Sequence, residues 1–102
     1  NEGQISNLPN DAIVETLATV TGKEIRPEQC GDLPGAVGSL CRLHVDVQEM
    51  TVQAALRGDR NLLVESLSLD PLCAGADFVE ISDLADELLA ANRHWLPRFF
   101  DS

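Results

Sequence analysis

The sequence is short of basic residues and of long apolar runs, and each shortage argues against a class of function. Its 102 residues include 7 Lys and Arg against 17 Asp and Glu, which gives a formal net charge of −10. Nucleic acids and anionic membranes attract clusters of basic side chains, so this balance disfavours both partners. No apolar stretch approaches the roughly 20 residues that a membrane-spanning helix needs. We therefore predict a chain with no nucleic-acid partner and no membrane partner.

Cysteine is also scarce, and the thiols at Cys30, Cys41 and Cys73 follow no recognised metal or disulfide pattern. Their number is odd, and neither a Cys-x-x-Cys pair nor a cluster with histidine occurs. A disulfide framework or a zinc site would require such spacing. Because reducing compartments keep thiols free, we expect ordinary reduced cysteines and a cytoplasmic location.

Motifs for catalysis are missing too. The chain contains no G-x-S-x-G nucleophile motif, no phosphate-binding P-loop and no G-x-G-x-x-G nucleotide loop. Its histidines are His44 and His94, and no Asp or Glu lies one helical turn from His44 to orient its ring for acid–base work. The residues alone therefore predict no catalytic, cofactor-binding or metal-binding group in this segment.

What the sequence does contain is a long apolar strand pattern near its start. Asn1–Asp11 is rich in turn-forming Gly, Asn and Pro and predicts a loop. Ala12–Val20 is largely apolar and β-branched, and a turn at 21–24 leads to a short return strand, Glu24–Arg26, which Pro27 ends. An isolated hairpin is only marginally stable in water, so this one is expected to pack against helices or against something outside the chain.

Three helices are predicted in the remainder. The first extends from an N-cap at Asp32, with Pro34 in its first turn, to Gly58, which suits the position just after a helix end. The other two cover Arg60–Leu69 and Phe78–Arg93. Their predicted caps are Asp59 for the second helix and the capping box of Asp77 and Glu80 for the third. The fold class is therefore α+β and mostly helical, with a loop and β-hairpin over residues 1–31 and a helical part over 32–102.

The long first helix is apolar on two flanks rather than one, when its residues are placed about 100° apart. One apolar stripe comprises Ala36, Leu40, Leu43, Val47, Met50 and Ala54, and the other comprises Cys41, Val45, Val52 and Leu56. An uncharged polar strip of His44, Gln48 and Thr51 lies opposite the charged face and suits buried hydrogen bonds or an interface. Because so short a chain cannot easily cover both flanks, the predicted interface comprises Cys41, Val45, Val52, Leu56, His44 and Gln48.

The sequence pattern of the C-terminal part predicts that the third helix and the tail after it also pack against a core. The third helix has an apolar stripe formed by Ile81, Leu84, Ala85 and Leu88, with Leu89 beside it. Three aromatic residues follow it, Trp95, Phe99 and Phe100, and large aromatic side chains contribute strongly to burial. We expect these aromatics to hold the C-terminal tail against a core.

Three stretches of the chain, taken in order, resemble family-4 glycoside hydrolases. "NEGQISNLPNDAIVE" is similar to their N-x-G-x-I-x-N-L-P-x-D-x-x-V-E segment. "CGDLPGAVGSLCRLHVDVQEMTVQAALRGDRNLLVESLSLDPL" is similar to their run of G-D-L-P, V-Q-E, A-A-L-x-G-D and L-x-x-D-P-L, and "DLADELLAANRHWLPRF" resembles their terminal helix and tail. The resemblance covers nearly the whole chain.

This resemblance implies that Asn1 is an internal residue of a longer α/β enzyme whose N-terminal Rossmann part lies upstream, and that the chain belongs to a lactate-dehydrogenase-C-terminal-like domain. Members of the family use NAD and a divalent metal, usually manganese, to cleave glycosides by oxidation and elimination rather than with two carboxylates. Their cofactor, metal and catalytic residues lie outside the region matched here. The segment would then be non-catalytic, would support the carbohydrate substrate side, with Asn1 and Asn7 as candidate pocket-lining residues, and would contribute to a homo-oligomer.

A different class of protein remains open from the residues alone. The same elements would suit a stand-alone acidic α+β domain for protein interaction or oligomerisation. A start codon close upstream of Asn1 would favour that alternative, whereas a longer reading frame would favour the glycosidase.

Overall fold

The computed structural model describes residues 1–100 and divides the chain into two compact units. The first unit is Asn1–Val45, and the second begins at Asp46, within the long helix. The elements, in chain order, are strands β1 (Ala18–Val20) and β2 (Ile25–Pro27) and helices α1 (Gly35–Arg57), α2 (Arg60–Leu69) and α3 (Phe78–Ala91), with short 3₁₀ turns at Pro71–Cys73 and Pro97–Phe99. A two-strand antiparallel hairpin followed by three helices confirms the predicted α+β, mostly helical class.

The predicted strand Ala12–Val20 is wrong over most of its length, since only Ala18–Val20 pairs. Ala12 instead closes the N-terminal loop, where its N–H donates to the Pro9 carbonyl at 3.2 Å. Among residues 1–100, β2 is the only strand that pairs with β1, and the pairing ends with a bond from the Glu28 N–H to the Leu17 carbonyl at 2.8 Å. Strand length is therefore limited by the length of the partner and not by the β propensity of residues 12–17.

Local capping chemistry sets most helix ends as predicted. The Asp59 side chain accepts a hydrogen bond from the Leu62 N–H at the start of α2, and Asp77 forms a complete capping box with Glu80 at the start of α3. Asp32 is not a cap, because α1 begins at Gly35 and the N-cap position directly precedes the first helical residue.

The third helix ends at Ala91, two residues earlier than predicted. Both the backbone N–H and the side-chain amide of Asn92 donate to the Leu88 carbonyl, at 3.0 and 2.8 Å. Because these two hydrogen bonds satisfy a carbonyl of the last helical turn, Asn92 acts as the C-cap.

The second unit has a small apolar core between α2 and α3. Val64 of α2 packs with Ile81 and Ala85 of α3, and the side chains of Leu63, Leu67 and Cys73 surround them. Leu89 continues the buried line of α3, whereas Leu84 and Leu88 remain partly exposed, so the buried stripe is narrower than the predicted one. In the first unit, the buried apolar side chains are those of Ile5, Leu8 and Ala12.

Two arginine side chains contribute to the packing of the C-terminal tail. Trp95 is 76% exposed, so the prediction that it packs on a core is wrong, while Phe99 and Phe100 are half-buried. The Arg98 guanidinium donates to the Leu56 carbonyl at the end of α1. The guanidinium carbon of Arg93 lies 4.5 Å from the centre of the Phe100 ring, in cation–π geometry.

Gly58 fits under this tail because it has no side chain. Its φ is 68°, in the left-handed region that favours glycine, and an added Cβ would collide with the backbone carbonyl of Arg98. Gly58 thus ends α1 and leaves room for the tail.

None of the helices within residues 1–100 combines the length and the apolar composition that crossing a membrane would require.

Candidate functional site

The N-terminal loop is folded around the side chain of Asn1. Its Oδ1 accepts a hydrogen bond from the Ile5 N–H at 3.0 Å, and its Nδ2 lies 2.9 Å from the Ile5 carbonyl oxygen. The same Nδ2 lies 3.1 Å from the carbonyl of Leu8 and 3.0 Å from that of Pro9. One amide therefore supplies bonds that a loop without regular structure would otherwise take from water, and Ile5 and Leu8 are buried beside it.

A second asparagine fastens this loop to the segment before α1. The Asn7 Oδ1 accepts from the Leu33 N–H at 2.9 Å, while its Nδ2 donates to the Leu33 carbonyl at 2.9 Å. The Asn7 carbonyl in turn accepts from the Arg42 guanidinium at 2.8 Å. A Cβ added at Gly38 would lie 3.1 Å from the Asn7 Nδ2, so the glycine allows the amide to lie close to the helix.

These contacts give Asn1 and Asn7 a structural role in the first unit. Each amide bonds both the N–H and the carbonyl of one residue, which is how a neighbouring β-strand would pair with it. Backbone contacts further fix the loop, since Cys30 donates to the Gln4 carbonyl at 2.7 Å and Ser6 donates to the Gly31 carbonyl at 3.0 Å. Contact between either asparagine and a sugar stays a prediction. The loop side chains left exposed are Glu2, Ser6, Asn10 and Asp11.

The residues of the predicted interface differ in exposure. Cys41 and Val45, in the first unit, are half-buried, whereas Val52 and Leu56, in the second, are 50% and 54% exposed. His44 and Gln48 are exposed. Whether these residues meet another subunit stays a prediction.

The third residue of the predicted polar strip does form internal hydrogen bonds. Thr51 Oγ1 lies 2.8 Å from the Ser66 Oγ and 2.8 Å from the Val47 carbonyl. Ser66 is buried and also bonds the Val47 carbonyl at 3.1 Å. Both hydroxyls are therefore satisfied where α2 meets α1 within the second unit. The polar strip of α1 predicted a hydrogen-bonding role for Thr51, but nothing in the sequence pattern indicated that Ser66 of α2 would be its partner.

An arginine-centred network joins α2 to α3. The Arg60 guanidinium binds the Asp86 carboxylate through two bonds, Nε to Oδ1 at 2.6 Å and Nη2 to Oδ2 at 2.8 Å. Its Nη2 also lies 2.8 Å from the Ser82 Oγ and 3.3 Å from the Ser82 carbonyl. The hydrogen bond raises the pKa of Arg60 and lowers the pKa of Asp86. This network was not predicted from the sequence, although Ser82 and Asp86 lie one helical turn apart on the same face of α3.

The polar side chains described above make hydrogen bonds within their own units. Within residues 1–100, no three His, Cys, Asp or Glu side chains come together in a way that could hold a metal ion. The residues described here therefore do not fit a metal centre. The sequence likewise offers no glycine-rich loop for the NAD pyrophosphate. No step of a cofactor-dependent reaction is assigned to this chain.

Comparison with known proteins identifies the family. Residues 1–73 match the model of the family 4 glycosyl hydrolase C-terminal domain, and the chain belongs to that family. It is 34% identical to an alpha-galactosidase of Bacillus subtilis, over 97% of this chain and 23% of the relative. It is 38% identical to an alpha-galacturonidase of Lachnoclostridium phytofermentans, over 93% of this chain and 21% of the relative. It is 39% identical to an alpha-galactosidase of Rhizobium meliloti, over 97% of this chain and 20% of the relative.

The chain thus spans about a fifth of the length of these curated relatives. No solved structure is significantly similar to it.

Proposed function

We propose that this chain is the C-terminal part of a glycosidase that hydrolyses O-glycosides in an NAD- and manganese-dependent oxidation–elimination reaction. Three relatives support the proposal, because each aligns with more than nine-tenths of the chain and each is named for the hydrolysis of a galactose or galacturonic acid linkage. The substrate class is accordingly an α-linked galactoside or galacturonide. NAD and the metal would be held by residues outside this segment, in an N-terminal Rossmann part, and the enzyme would act in the cytoplasm.

The segment supports the substrate side of that enzyme. The proposal rests on the loop of the first unit, which two asparagine amides and Arg42 hold in one conformation. A loop fixed in this way can present exposed hydroxyl and carboxylate groups, such as those of Ser6 and Glu2, without losing much conformational entropy when a substrate or another part of the enzyme binds.

An activity assay on the full-length protein that contains this segment tests the proposal. The substrates are p-nitrophenyl α-D-galactopyranoside and the corresponding α-D-galacturonide, each with and without added NAD and Mn²⁺. We expect hydrolysis of one of them that requires both additions, with no hydrolysis of p-nitrophenyl β-D-xyloside as the control. Hydrolysis that persists after NAD and metal have been removed, or no hydrolysis of any α-glycoside, would contradict the proposal.

The segment also contributes to subunit assembly. Val52 and Leu56 lie on α1 in the second unit, and each leaves about half of its apolar side chain exposed. Exposed apolar side chains of this size favour burial against another surface, at about 25 cal/mol for each Å² removed from water.

Light scattering of the full-length protein tests the assembly role. We expect an oligomer that Leu56→Asp dissociates, because a carboxylate would have to be desolvated in the contact. The matched control is Leu69→Asp on α2, where the leucine is 41% exposed but lies outside the predicted interface, and this variant should keep the oligomer. A wild-type monomer that binds no hydrophobic dye would contradict the assembly role.

A further inference from the structure

The outer edge of β1 has no partner strand within residues 1–100. In the hairpin, the Leu17 carbonyl accepts from Glu28 at 2.8 Å and the Thr21 N–H donates to Glu24 at 2.9 Å. Backbone groups in an antiparallel pair alternate in direction, so those of Ala18 and Val20 face away from β2. No backbone bond to either residue from outside the hairpin occurs within the described chain.

This open edge continues upstream through a segment that has the side-chain alternation of a strand but no ladder. Exposure alternates from Ile13 to Leu17, with Val14 and Thr16 half-buried and the three residues at odd positions exposed. The backbone N–H and carbonyl groups of residues 13–16 have no intrachain partner in residues 1–100. The backbone groups of this segment therefore remain available to a neighbouring strand.

The apolar side chains along this edge are unusually exposed. Ile13 is 90% exposed and Leu17 is 76% exposed, and Val20 and Ile25 of the hairpin are 72% and 71% exposed. All six residues of β1 and β2 are exposed, so the hairpin buries almost no apolar surface of its own. A two-stranded hairpin of this kind is marginal in water, whereas a third strand would supply both the missing backbone bonds and cover for the apolar side chains.

We propose that the edge formed by residues 13–20 accepts a further β-strand that the same polypeptide supplies from outside residues 1–102. The inference rests on the proposed function, because it requires the longer chain. A tethered strand would be present at an effective concentration in the millimolar range, which favours pairing within one molecule. Addition of the strand turns the hairpin into a sheet of at least three strands.

Charge argues against a second copy of this chain as the occupant. Glu15 lies at the centre of residues 13–17, so a symmetric antiparallel pairing centred on these residues would place two Glu15 carboxylates opposite each other. The net charge of −10 adds repulsion between copies. The expected strand is apolar where it faces Ile13 and Leu17, and it carries Lys or Arg opposite Glu15.

Amide hydrogen exchange of the full-length protein tests the pairing directly. The amides of Val14, Thr16, Ala18 and Val20 should exchange as slowly as that of Val64 in the core of α2, and their rates should not change when the protein is diluted. Exchange as fast as that of Gly22 at the exposed hairpin turn would overturn the inference. Protection that disappears on dilution to a monomer would also overturn it, because a second copy would then be the occupant.

A pair of proline variants adds a matched control. Thr16→Pro removes an N–H that the outer ladder would use, whereas Glu15→Pro removes one that points to the other side of the strand. We expect Thr16→Pro to lower the Tm of the full-length protein by at least about 2 °C more than Glu15→Pro does. Equal losses would contradict the outer ladder.

The two proposals can fail separately. A protein that hydrolyses an α-glycoside while its residues 13–20 exchange freely keeps the proposed function and loses this inference. A longer protein that hydrolyses no glycoside but whose residues 13–20 have protected amides would keep this inference and lose the proposed function.

Discussion

Replacement of Gly58 by alanine should be among the most damaging single-methyl changes in this chain. The residue has a φ of 68°, and a non-glycine residue in the left-handed region costs about 1–2 kcal/mol. The new Cβ would also collide with the Arg98 carbonyl, so the tail must move. Movement of the tail breaks the hydrogen bond from the Arg98 guanidinium to the Leu56 carbonyl, which contributes about 1 kcal/mol. The expected loss in the free energy of unfolding is therefore about 2–3 kcal/mol.

Two matched variants separate the backbone effect from the contact with the tail. Gly31→Ala places a Cβ at a φ of 71°, but no atom outside its chain neighbours lies within 4 Å of that Cβ. It should lose only the backbone part, about 1–2 kcal/mol. Gly75→Ala has neither a positive φ nor a close neighbour, so it should be neutral or slightly stabilising.

Equilibrium urea unfolding of the purified protein, followed by circular dichroism, measures all three variants. Gly58→Asn provides a further check, because asparagine tolerates the left-handed region better than alanine but still brings the Cβ that meets Arg98. Gly58→Asn should therefore recover part, but not all, of the free energy of unfolding that Gly58→Ala loses. A Gly58→Ala variant that lost no more stability than Gly31→Ala would show that contact with the tail contributes nothing at this position.

Two further predictions concern polar contacts. Asn7→Ala should lower the free energy of unfolding by about 1–3 kcal/mol, because both backbone groups of Leu33 lose their partner. Ser6→Ala, on the same loop, should change the free energy of unfolding by less than about 0.5 kcal/mol. Urea unfolding measures both variants, and equal effects would contradict the structural role of Asn7. The hydrogen bond from Arg60 lowers the pKa of Asp86 below its ordinary 3.8, so the pair stabilises the protein fully above that pH and loses its contribution as the pH falls through the lowered pKa. We expect the Tm of Asp86→Asn to fall less than that of the wild type when the pH is lowered from about 6 to about 2, the range in which a carboxylate titrates. Parallel plots of Tm against pH for the two proteins would contradict this coupling.

Features encoded by neighbouring residues were predictable from the sequence. The caps at Asp59 and Asp77 each depend on a side chain that reaches a backbone N–H two or three residues ahead, so a short stretch of sequence contains the whole signal. The end of α1 before Gly58 is equally local, because it requires a residue that tolerates a positive φ.

Features that depend on distant residues were not predictable in the same way. Arg60 and Asp86 are 26 positions apart, and nothing in either helix alone indicates their pairing. The length of β1 depends on where β2 ends, and the exposure of Trp95 depends on how the tail lies across Gly58. The sequence placed Asn1 and Asn7 in a loop, but it did not indicate that each amide would bond both backbone groups of a single residue.

Sequencing the DNA immediately upstream of Asn1 would show whether this segment belongs to a longer glycosidase. If this segment is the C-terminal part of an NAD- and metal-dependent glycosidase, the reading frame continues upstream into a βαβ unit with a glycine-rich nucleotide loop, followed by a cysteine and a histidine for the metal. A start codon a few residues before Asn1 would contradict the glycosidase assignment and would favour a stand-alone interaction domain.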